Sequence, residues 1–154
     1  MSSSRFAMAV HGLALLADGA PDGLSSAWIA GSVNSHAVVL RRLLSRLATA
    51  GLIQAREGRG GGYRLLRPAA QITLAEVYEA IETEGPLAPS PAEPNPDCPI
   101  GSGMRCSFRE VAQRARASVV AALAGETVAD VARVARSARA KRPVGKAKRN
   151  RKGA

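Results

Sequence analysis

Leucines recur at helical spacing near the middle of the chain and mark its most regular segment. Between Ser35 and Gly51 the apolar positions lie three and four residues apart, at Leu40, Leu43, Leu44 and Leu47. Positions with this spacing share one face of an α-helix, so the pattern predicts an amphipathic helix that buries the leucines. Arg42 lies on the opposite face, with Arg41 and Arg46 on the flanks. Gly51 is expected to end the helix.

Two short extended runs follow this helix and predict a β-hairpin. They cover residues 53–56 and 63–66, and the segment between them contains four glycines. A glycine-rich connection suits a tight turn between paired strands. It does not match the nucleotide-binding pattern GxGxxG, because the sixth position counted from Gly58 is a tyrosine. The hairpin carries three arginines, Arg56, Arg59 and Arg64.

A helix with arginines on its outer face, followed at once by a basic hairpin, is the layout of a winged helix-turn-helix domain. The sequence therefore predicts a mainly α fold with a small β-hairpin wing. Such a helix fits the major groove of DNA, and a basic hairpin can reach phosphates or the minor groove. For Val38 and Val39, burial against the wing is the alternative to a place in the groove. The expected DNA contacts come from Ser35, His36, Val38, Arg41, Arg42, Arg46, Arg59 and Arg64.

Two helices are expected before this recognition helix. The first covers residues 6–17, where apolar side chains recur at helical spacing. The second covers residues 27–32, and Ser25 or Ser26 can cap its N-terminus. Trp28 is the only tryptophan in the chain, and we expect it to anchor the core from this second helix.

Capping residues mark three later helix starts. Asn34 or Ser35 can cap the recognition helix. A threonine followed three positions later by an acidic residue forms a capping box, and this pair occurs as Thr73 with Glu76 and as Thr127 with Asp130. The second pair starts the last helix of the chain, which is expected to end near residue 137.

A long apolar stripe follows a proline-rich loop in the C-terminal half. The loop covers residues 84–97 and contains five prolines. No further sheet is predicted for the stripe to pack on, so we expect the same helix of a second copy to cover it. A capping box of Ser107 and Glu110 would start this helix at Phe108. The stripe consists of Met104, Phe108, Val111, Ala112, Ala115, Val119, Ala122 and Leu123.

Positive charge is concentrated at the C-terminus. The 154 residues carry a net charge of +10, but residues 139–154 hold eight of the 22 Lys and Arg residues and no acidic residue. The preceding part holds 14 basic and 12 acidic residues, a balance of only +2. We expect a winged-helix domain over residues 1–83, then a loop, a dimerisation helix and a short helix over 84–138. Residues 139–154 have the composition of a disordered basic tail.

Four segments of the chain carry a family resemblance: SRFAMAVHGLALLA, VVLRRLLSRLATAGLI, GRGGGYRLLRPAAQITLAEVYEAIE and NPDCPIG. Over roughly residues 4–134 the chain resembles the Rrf2 family of bacterial winged-helix regulators, which includes the iron–sulfur cluster regulator and the nitric-oxide-sensing repressor. It implies a homodimer that is joined by the long helix, binds a palindromic operator and represses transcription.

The resemblance also bears on the two cysteines, Cys98 and Cys106. Cluster-binding members carry three cysteines in this region, so we expect no iron–sulfur cluster, since thiolates normally supply its ligands. The resemblance starts the long helix near Ile100 or Gly101, which separates the two cysteines by roughly 12 Å at about 1.5 Å of rise per residue. A disulfide needs Cα atoms within ~7 Å, so none is expected. A position at the helix start would lower the pKa of Cys98 and make it a candidate sensor thiol. Cys106 is a second candidate sensor thiol. The alternative is that both cysteines are inert.

These patterns favour a sequence-specific DNA-binding transcriptional regulator, a homodimeric repressor whose partner is double-stranded DNA. A thiol or redox response is a further hypothesis. A cytoplasmic, non-membrane location is expected, because no apolar run reaches the length of a membrane span and the N-terminus lacks a secretory signal. The alternative is a protein–protein adaptor that retains the winged-helix fold without DNA binding. No paired acid and base, metal-ligand spacing or partnered nucleophile indicates an enzyme.

Overall fold

Helices account for most of the residues that the structure describes. The computed structural model describes residues 3–18, 23–56, 58, 61–83, 85–87 and 92–141. A short 3-10 turn, Ala69–Gln71, lies between the hairpin and the fourth helix. In chain order the elements are α1 (Ser3–Ala17), α2 (Ser26–Val33), α3 (Ala37–Thr49), β1 (Ile53–Arg56), β2 (Gly62–Leu65), α4 (Leu74–Ile81), α5 (Gly101–Leu123) and α6 (Val128–Lys141). The mainly α fold with a β-hairpin wing is confirmed.

The predicted leucine stripe lies in the centre of the core. All four leucines of α3 are at most 3% exposed, and they pack with apolar residues of α1, α2 and α4. Each fully buried leucine contributes about 1.5–3 kcal/mol relative to an exposed one. This burial fixes which face of α3 points to solvent.

The turn between α2 and α3 ends one helix and starts the next within three residues. Asn34 has φ 54° and ψ 51°, a left-handed conformation that asparagine tolerates better than most residues. The Ser35 amide donates to the Ala30 carbonyl at 3.0 Å, which closes a Schellman motif. The N-cap of α3 is His36, without a side-chain cap hydrogen bond. The prediction that Asn34 or Ser35 caps α3 is therefore wrong, because the C-terminus of α2 uses both residues.

The predicted C-terminal glycine of α3 is confirmed. Gly51 has φ 71°, and the Leu52 amide donates to the Leu47 carbonyl at 3.0 Å. Leu52 and Ile53 are both 1% exposed, so the chain passes from α3 into β1 through the core. The recognition helix and the wing are consequently held at a fixed distance from each other.

The wing pairs its two strands antiparallel, with Ile53 opposite Leu65 and Arg56 opposite Gly62. Leu24 joins the hairpin from the loop before α2, because its amide and carbonyl bond the backbone of Tyr63 at 3.0 and 2.8 Å. A Cβ on Gly62 would lie 2.8 Å from the Leu24 backbone. Gly58 has the positive φ expected of a turn glycine, whereas Gly62 is needed for this close backbone approach.

Trp28 lies on the surface, with 54% of its area exposed. Its amide donates to the Ser25 hydroxyl at 3.2 Å, so the expected serine N-cap of α2 is confirmed. The helix buries Ile29 and Ala30 instead, and residue 28 is turned by about 100° from residue 29. The prediction that Trp28 anchors the core is wrong.

The capping boxes start α4 and α6 side by side. Thr73 with Glu76 and Thr127 with Asp130 exchange the predicted hydrogen bonds. The Leu74 amide donates to the Glu126 carbonyl at 2.8 Å, which ties the two helix starts together. Hydrogen bonds from Arg67 and Thr73 to the carboxylate lower the pKa of Glu76.

Helix α6 folds back onto the winged-helix body of its own chain. It packs along α1, buries Val128 and Ala132, and places Arg136 Nη1 2.5 Å from Asp18 Oδ1. The helix continues to Lys141, four residues beyond its predicted end near residue 137. The rest of the expected basic tail lies outside the described residues.

Helix α5 begins at Gly101, so the start implied by the resemblance is confirmed and the alternative start at Phe108 is wrong. None of its 23 residues is buried in the single chain. Met104 and Val111 are 47% and 43% exposed, whereas Leu123 packs against the core of its own chain. Part of the predicted stripe therefore packs against its own chain, and the rest is exposed to solvent.

Among the residues that the structure describes, no helix combines the length and the apolar composition of a membrane span.

Candidate nucleic-acid interface

The outward face of α3 is open along its first two turns. Val38 and Val39 are 58% and 39% exposed, so neither is buried against the wing. His36, Arg41 and Arg42 are also exposed. Because the leucines opposite these residues are held in the core, the face that carries them is fixed and available to a groove of DNA.

The three arginines of α3 differ in what they contact. Arg42 is exposed and has no hydrogen bond or ion pair to any described residue. Arg41 Nε donates to the Ala37 carbonyl at 3.3 Å and keeps its side chain along the helix. Arg46 Nη1 donates to the Ile81 carbonyl at 2.8 Å, at the end of α4. Arg46 therefore contacts its own chain at the position where sequence reasoning expected a DNA contact.

The N-terminus of α3 carries partial positive charge beside this face. His36 is the N-cap, and Ser35 before it is half-buried. The first amides of a helix have no intrahelical acceptor, and together with the helix dipole they favour an anion. A DNA phosphate at this point would meet backbone donors as well as the imidazole.

The wing holds its arginines along a two-stranded ladder. Arg64 lies directly opposite Gln54, and the Gln54 amide oxygen, in the orientation that satisfies both groups, accepts from its guanidinium. Arg56 is exposed at the end of β1. Arg59, expected at the tip, lies outside the described residues. The hairpin thus presents fixed positive charge next to α3.

Sequence reasoning missed the exposed face of α2. Ala27, Trp28, Gly31 and Ser32 are exposed on this helix, which carries no charged residue. In helix-turn-helix domains the first helix crosses the DNA backbone while the second enters the groove. Helical spacing could have shown this face, because Ile29 and Val33 define the buried side and leave Trp28 off it.

The two cysteines lie at different places around the start of α5. The Gly101 amide donates to Cys98 Sγ at 3.3 Å, and Cys98 is half-buried. Hydrogen bonds from the Gly101 and Ile100 amides lower the pKa of the Cys98 thiol. Cys106 is exposed on the helix, and both thiols are free. The predicted lowering of the Cys98 pKa agrees with this geometry.

The chain was compared with models of known protein families and with sequences of known proteins. The model of the Rrf2 family, described as iron-dependent transcriptional regulators, matches residues 2–134. The chain belongs to the Rrf2 family. YwnA of Bacillus subtilis, which its name assigns to the HTH-type transcriptional regulators, is 34% identical over 131 residues, 85% of this chain and 96% of YwnA. A shorter match links it to IscR of Cereibacter sphaeroides, at 49% identity over 43 residues, 28% of each chain.

Solved structures agree with this membership. A crystal structure described as that of a DNA-binding protein has a TM-score of 0.65 and 32% identity, over 82% of this chain and 97% of the other. CymR of B. subtilis, the global cysteine regulator, shares the fold with a TM-score of 0.60 and 24% identity, over 87% of this chain and 96% of CymR. This Rrf2 protein is a DNA-binding transcriptional regulator, and its family consists of regulators rather than enzymes.

The cysteines of this Rrf2 protein do not fit an iron–sulfur cluster. Such clusters take four ligands, mostly thiolates, and the chain has only two cysteines. Cys98 precedes α5, whereas Cys106 is exposed on the helix itself. Among the described residues, no group of three or more His, Cys, Asp and Glu side chains could hold a metal ion. The residues that the structure describes therefore offer no donor set for the iron named in the family description.

Proposed function

We propose that this Rrf2 protein is a homodimeric repressor that binds a palindromic operator with one α3 helix in each half-site. The observation that carries the proposal is the open face of α3, where Val38, Arg41 and Arg42 stand opposite a fully buried leucine stripe. A guanidinium can bond guanine in two places, and a valine can contact the methyl group of thymine. The face therefore offers chemistry that distinguishes bases.

Positioning on the duplex is assigned to the elements around α3. The amides and His36 at the start of α3, together with Arg56 and Arg64 on the wing, supply donors and charge for phosphates. The uncharged face of α2 can approach the sugar-phosphate backbone closely, because Gly31 leaves open space and the Trp28 indole can donate from its N–H. These contacts set register, while α3 reads sequence.

Dimerisation is assigned to α5. A helix with no buried residue in its own chain, and with Met104 and Val111 about half exposed, gains most from a second copy of itself. A two-fold pair of such helices presents the same surface on both subunits. Two recognition helices related in this way match the symmetry of a palindrome.

Cys98 is the thiol through which we propose that oxidants regulate the repressor. Its lowered pKa increases the thiolate fraction, and the thiolate is the form that reacts with peroxide. Mass spectrometry after mild peroxide treatment should find modification first at Cys98. Modification only at Cys106, or at neither thiol, would remove the sensor role.

The experiment that tests the central proposal compares Arg42→Ala with wild type on two duplexes. One carries the site that footprinting identifies upstream of the protein's own gene, and the other carries its scrambled sequence. A bidentate contact to guanine gives roughly 1–3 kcal/mol of discrimination, so the variant should narrow the affinity ratio by about tenfold.

Arg109→Ala is the matched control for this experiment. It removes the same charge from an exposed position of α5, and the ratio should stay at the wild-type value. Equal wild-type affinity for both duplexes would contradict specific binding. An unchanged ratio for Arg42→Ala would assign Arg42 to phosphate or solvent.

A further inference from the structure

Two arginines from different helices meet at the C-terminal end of α4. Arg46 of α3 donates to the Ile81 carbonyl at 2.8 Å. Arg116 of α5 donates from Nη1 to the carbonyls of Glu82 and Thr83, both at 3.2 Å. The last carbonyls of a helix have no intrahelical donor and carry partial negative charge. One helix end thus binds both the recognition helix and the long helix.

The Arg116 side chain packs against the buried Gly85. Gly85 is buried with φ +78°, and a Cβ placed there would lie 3.7–3.8 Å from three carbons of the Arg116 stem. Glu82 is 3% exposed; its carboxylate Oε2 lies 4.0 Å from Arg5 Nη2, and its Oε1 has no hydrogen-bond partner among the described residues. Burial and the Glu82 charge raise the pKa of Tyr78, and the Arg116 charge opposes that rise.

The length of α5 makes its angle important. Its 23 residues extend over roughly 34 Å. A rotation of about 10° at the α4 contact would move a point ~20 Å away by roughly 3 Å, close to the ~3.4 Å rise of one base pair. A contact that fixes this angle therefore fixes the distance between two recognition helices to about one base pair.

We propose that Arg116 is a positioning residue that sets the angle between α5 and the winged-helix body and thereby selects the spacing of the operator half-sites. The inference rests on the homodimer of the proposed function. Arg46 completes the connection, because it ties α3 to the same helix end to which Arg116 ties α5. A single guanidinium nitrogen shared by two carbonyls restricts the direction of α5 more than an apolar contact does.

The test measures binding of full-length protein to a series of duplexes. Each carries the two half-sites that wild type selects from a randomised duplex pool, with the central spacer from about two base pairs shorter to two longer. Wild type should prefer one spacing. Arg116→Gln should flatten this profile, with the ratio of preferred to altered spacing falling roughly tenfold, as expected when hydrogen bonds from a charged donor are lost.

Two further variants keep the result interpretable. Arg114→Gln removes the same charge two residues away, where the side chain is exposed, and should retain the wild-type profile. Arg116→Lys keeps the charge but replaces the planar fork with a flexible point donor, and its profile should lie between those of wild type and Arg116→Gln. This variant decides the matter if Arg116→Gln does not fold.

The outcomes separate this inference from the function on which it rests. If Arg116→Gln weakens binding equally at every spacing, or keeps the sharp profile, Arg116 supports stability alone and the inference is overturned while the repressor model stands. The same holds if Arg116→Gln does not fold and Arg116→Lys keeps the wild-type profile. A wild-type profile that does not depend on spacing would overturn the two-half-site model together with the inference.

Discussion

Arg42 and Arg46 show how a single helix gives two like residues different roles. They are four residues apart on α3, so their side chains leave neighbouring positions on the helix surface. Arg46 reaches the end of α4, where the Ile81 carbonyl accepts its hydrogen bond. Arg42 meets no acceptor among the described residues and stays in solvent. The two arginines differ because the end of α4 lies beside Arg46 and not beside Arg42. The sequence of α3 alone does not show where α4 lies.

Trp28 provides a direct report of DNA contact at the scale of one residue. It is the only tryptophan and is half exposed on α2, so its emission comes from the proposed interface alone. Operator binding should shift its emission and protect it from acrylamide. Trp28→Ala should weaken operator and scrambled duplex alike, by about 0.5–1.5 kcal/mol for one hydrogen bond.

The Trp28 measurement separates contact from binding. Anisotropy of labelled DNA in the same samples reports whether a complex has formed. If the complex forms while the emission and acrylamide quenching of Trp28 stay unchanged, α2 does not contact the DNA backbone at this residue. Trp28→Phe should keep apolar contact but lose the N–H donor, and its affinity should fall between wild type and Trp28→Ala.

Asp130 predicts a pH dependence of stability. Hydrogen bonds from Thr127 and Arg133 lower its pKa from 3.8 to about 2. A carboxylate with a lowered folded-state pKa stabilises the protein above its unfolded value and loses that contribution as pH falls through its folded value. Between about pH 4 and pH 2, the free energy of unfolding should therefore fall more steeply for wild type than for Asp130→Asn.

Chemical denaturation across that pH range would measure the difference. Asp97→Asn is the control, because Asp97 is exposed in the loop before α5 and its carboxylate accepts no hydrogen bond from the described residues. Equal slopes for wild type and Asp130→Asn would contradict the role of the carboxylate. Thr127→Ala should cost about 0.5–2 kcal/mol, the usual range for loss of an N-cap.

At the scale of elements, α5 has more apolar surface than its own chain covers. Leu123 packs on the core at one end, whereas Met104 and Val111 are exposed further toward the start of the helix. A helix of this amphipathic kind is stabilised mainly by packing of its apolar face. Its stable form therefore depends on what covers that face.

Val111→Glu should convert the protein to monomers. In the proposed dimer, two-fold symmetry places the new carboxylate in the interface once from each subunit, and an uncompensated buried charge costs about 3–5 kcal/mol. Sedimentation would show the change, and binding to an operator with two half-sites should fall with it.

Val134→Glu makes the same chemical change on α6, where Val134 is 60% exposed. This control should remain a dimer. A Val111→Glu variant that sediments like wild type would place the interface on another surface.

At the scale of the whole molecule, charge divides the chain into a nearly balanced body and a basic end. Residues 142–154 carry six Lys and Arg residues and no acidic residue. Each phosphate that a protein neutralises contributes about −0.9 to the slope of log affinity against log salt. We therefore expect this segment to bind DNA irrespective of its sequence.

Deletion of residues 142–154 should lower affinity for scrambled duplex and reduce its salt slope by up to roughly five, while the preference for operator remains. The deletion begins after Lys141 and so leaves α6 whole. A full-length variant with the six basic residues replaced by glutamine should behave like the deletion. Identical salt slopes for full-length and truncated protein would show that this segment does not contact DNA.

The sequence by itself determined the elements whose causes are local. The leucine spacing of α3, the left-handed glycine at residue 51 and the two capping boxes depend on residues within a few positions of one another, and the structure has each of them. The hairpin followed from short apolar runs around a glycine-rich turn. The winged-helix interpretation followed from the order of these elements, whereas the family resemblance rested on the residues of four sequence segments.

Tertiary structure alone decided how those elements use their side chains. Arg46 and Arg116 bond the end of α4 from residues 35 and 34 positions away in sequence. The unpaired carbonyls at the end of α4 come within reach of an arginine only when distant segments pack. No local sequence pattern therefore shows which arginine will form a hydrogen bond with them.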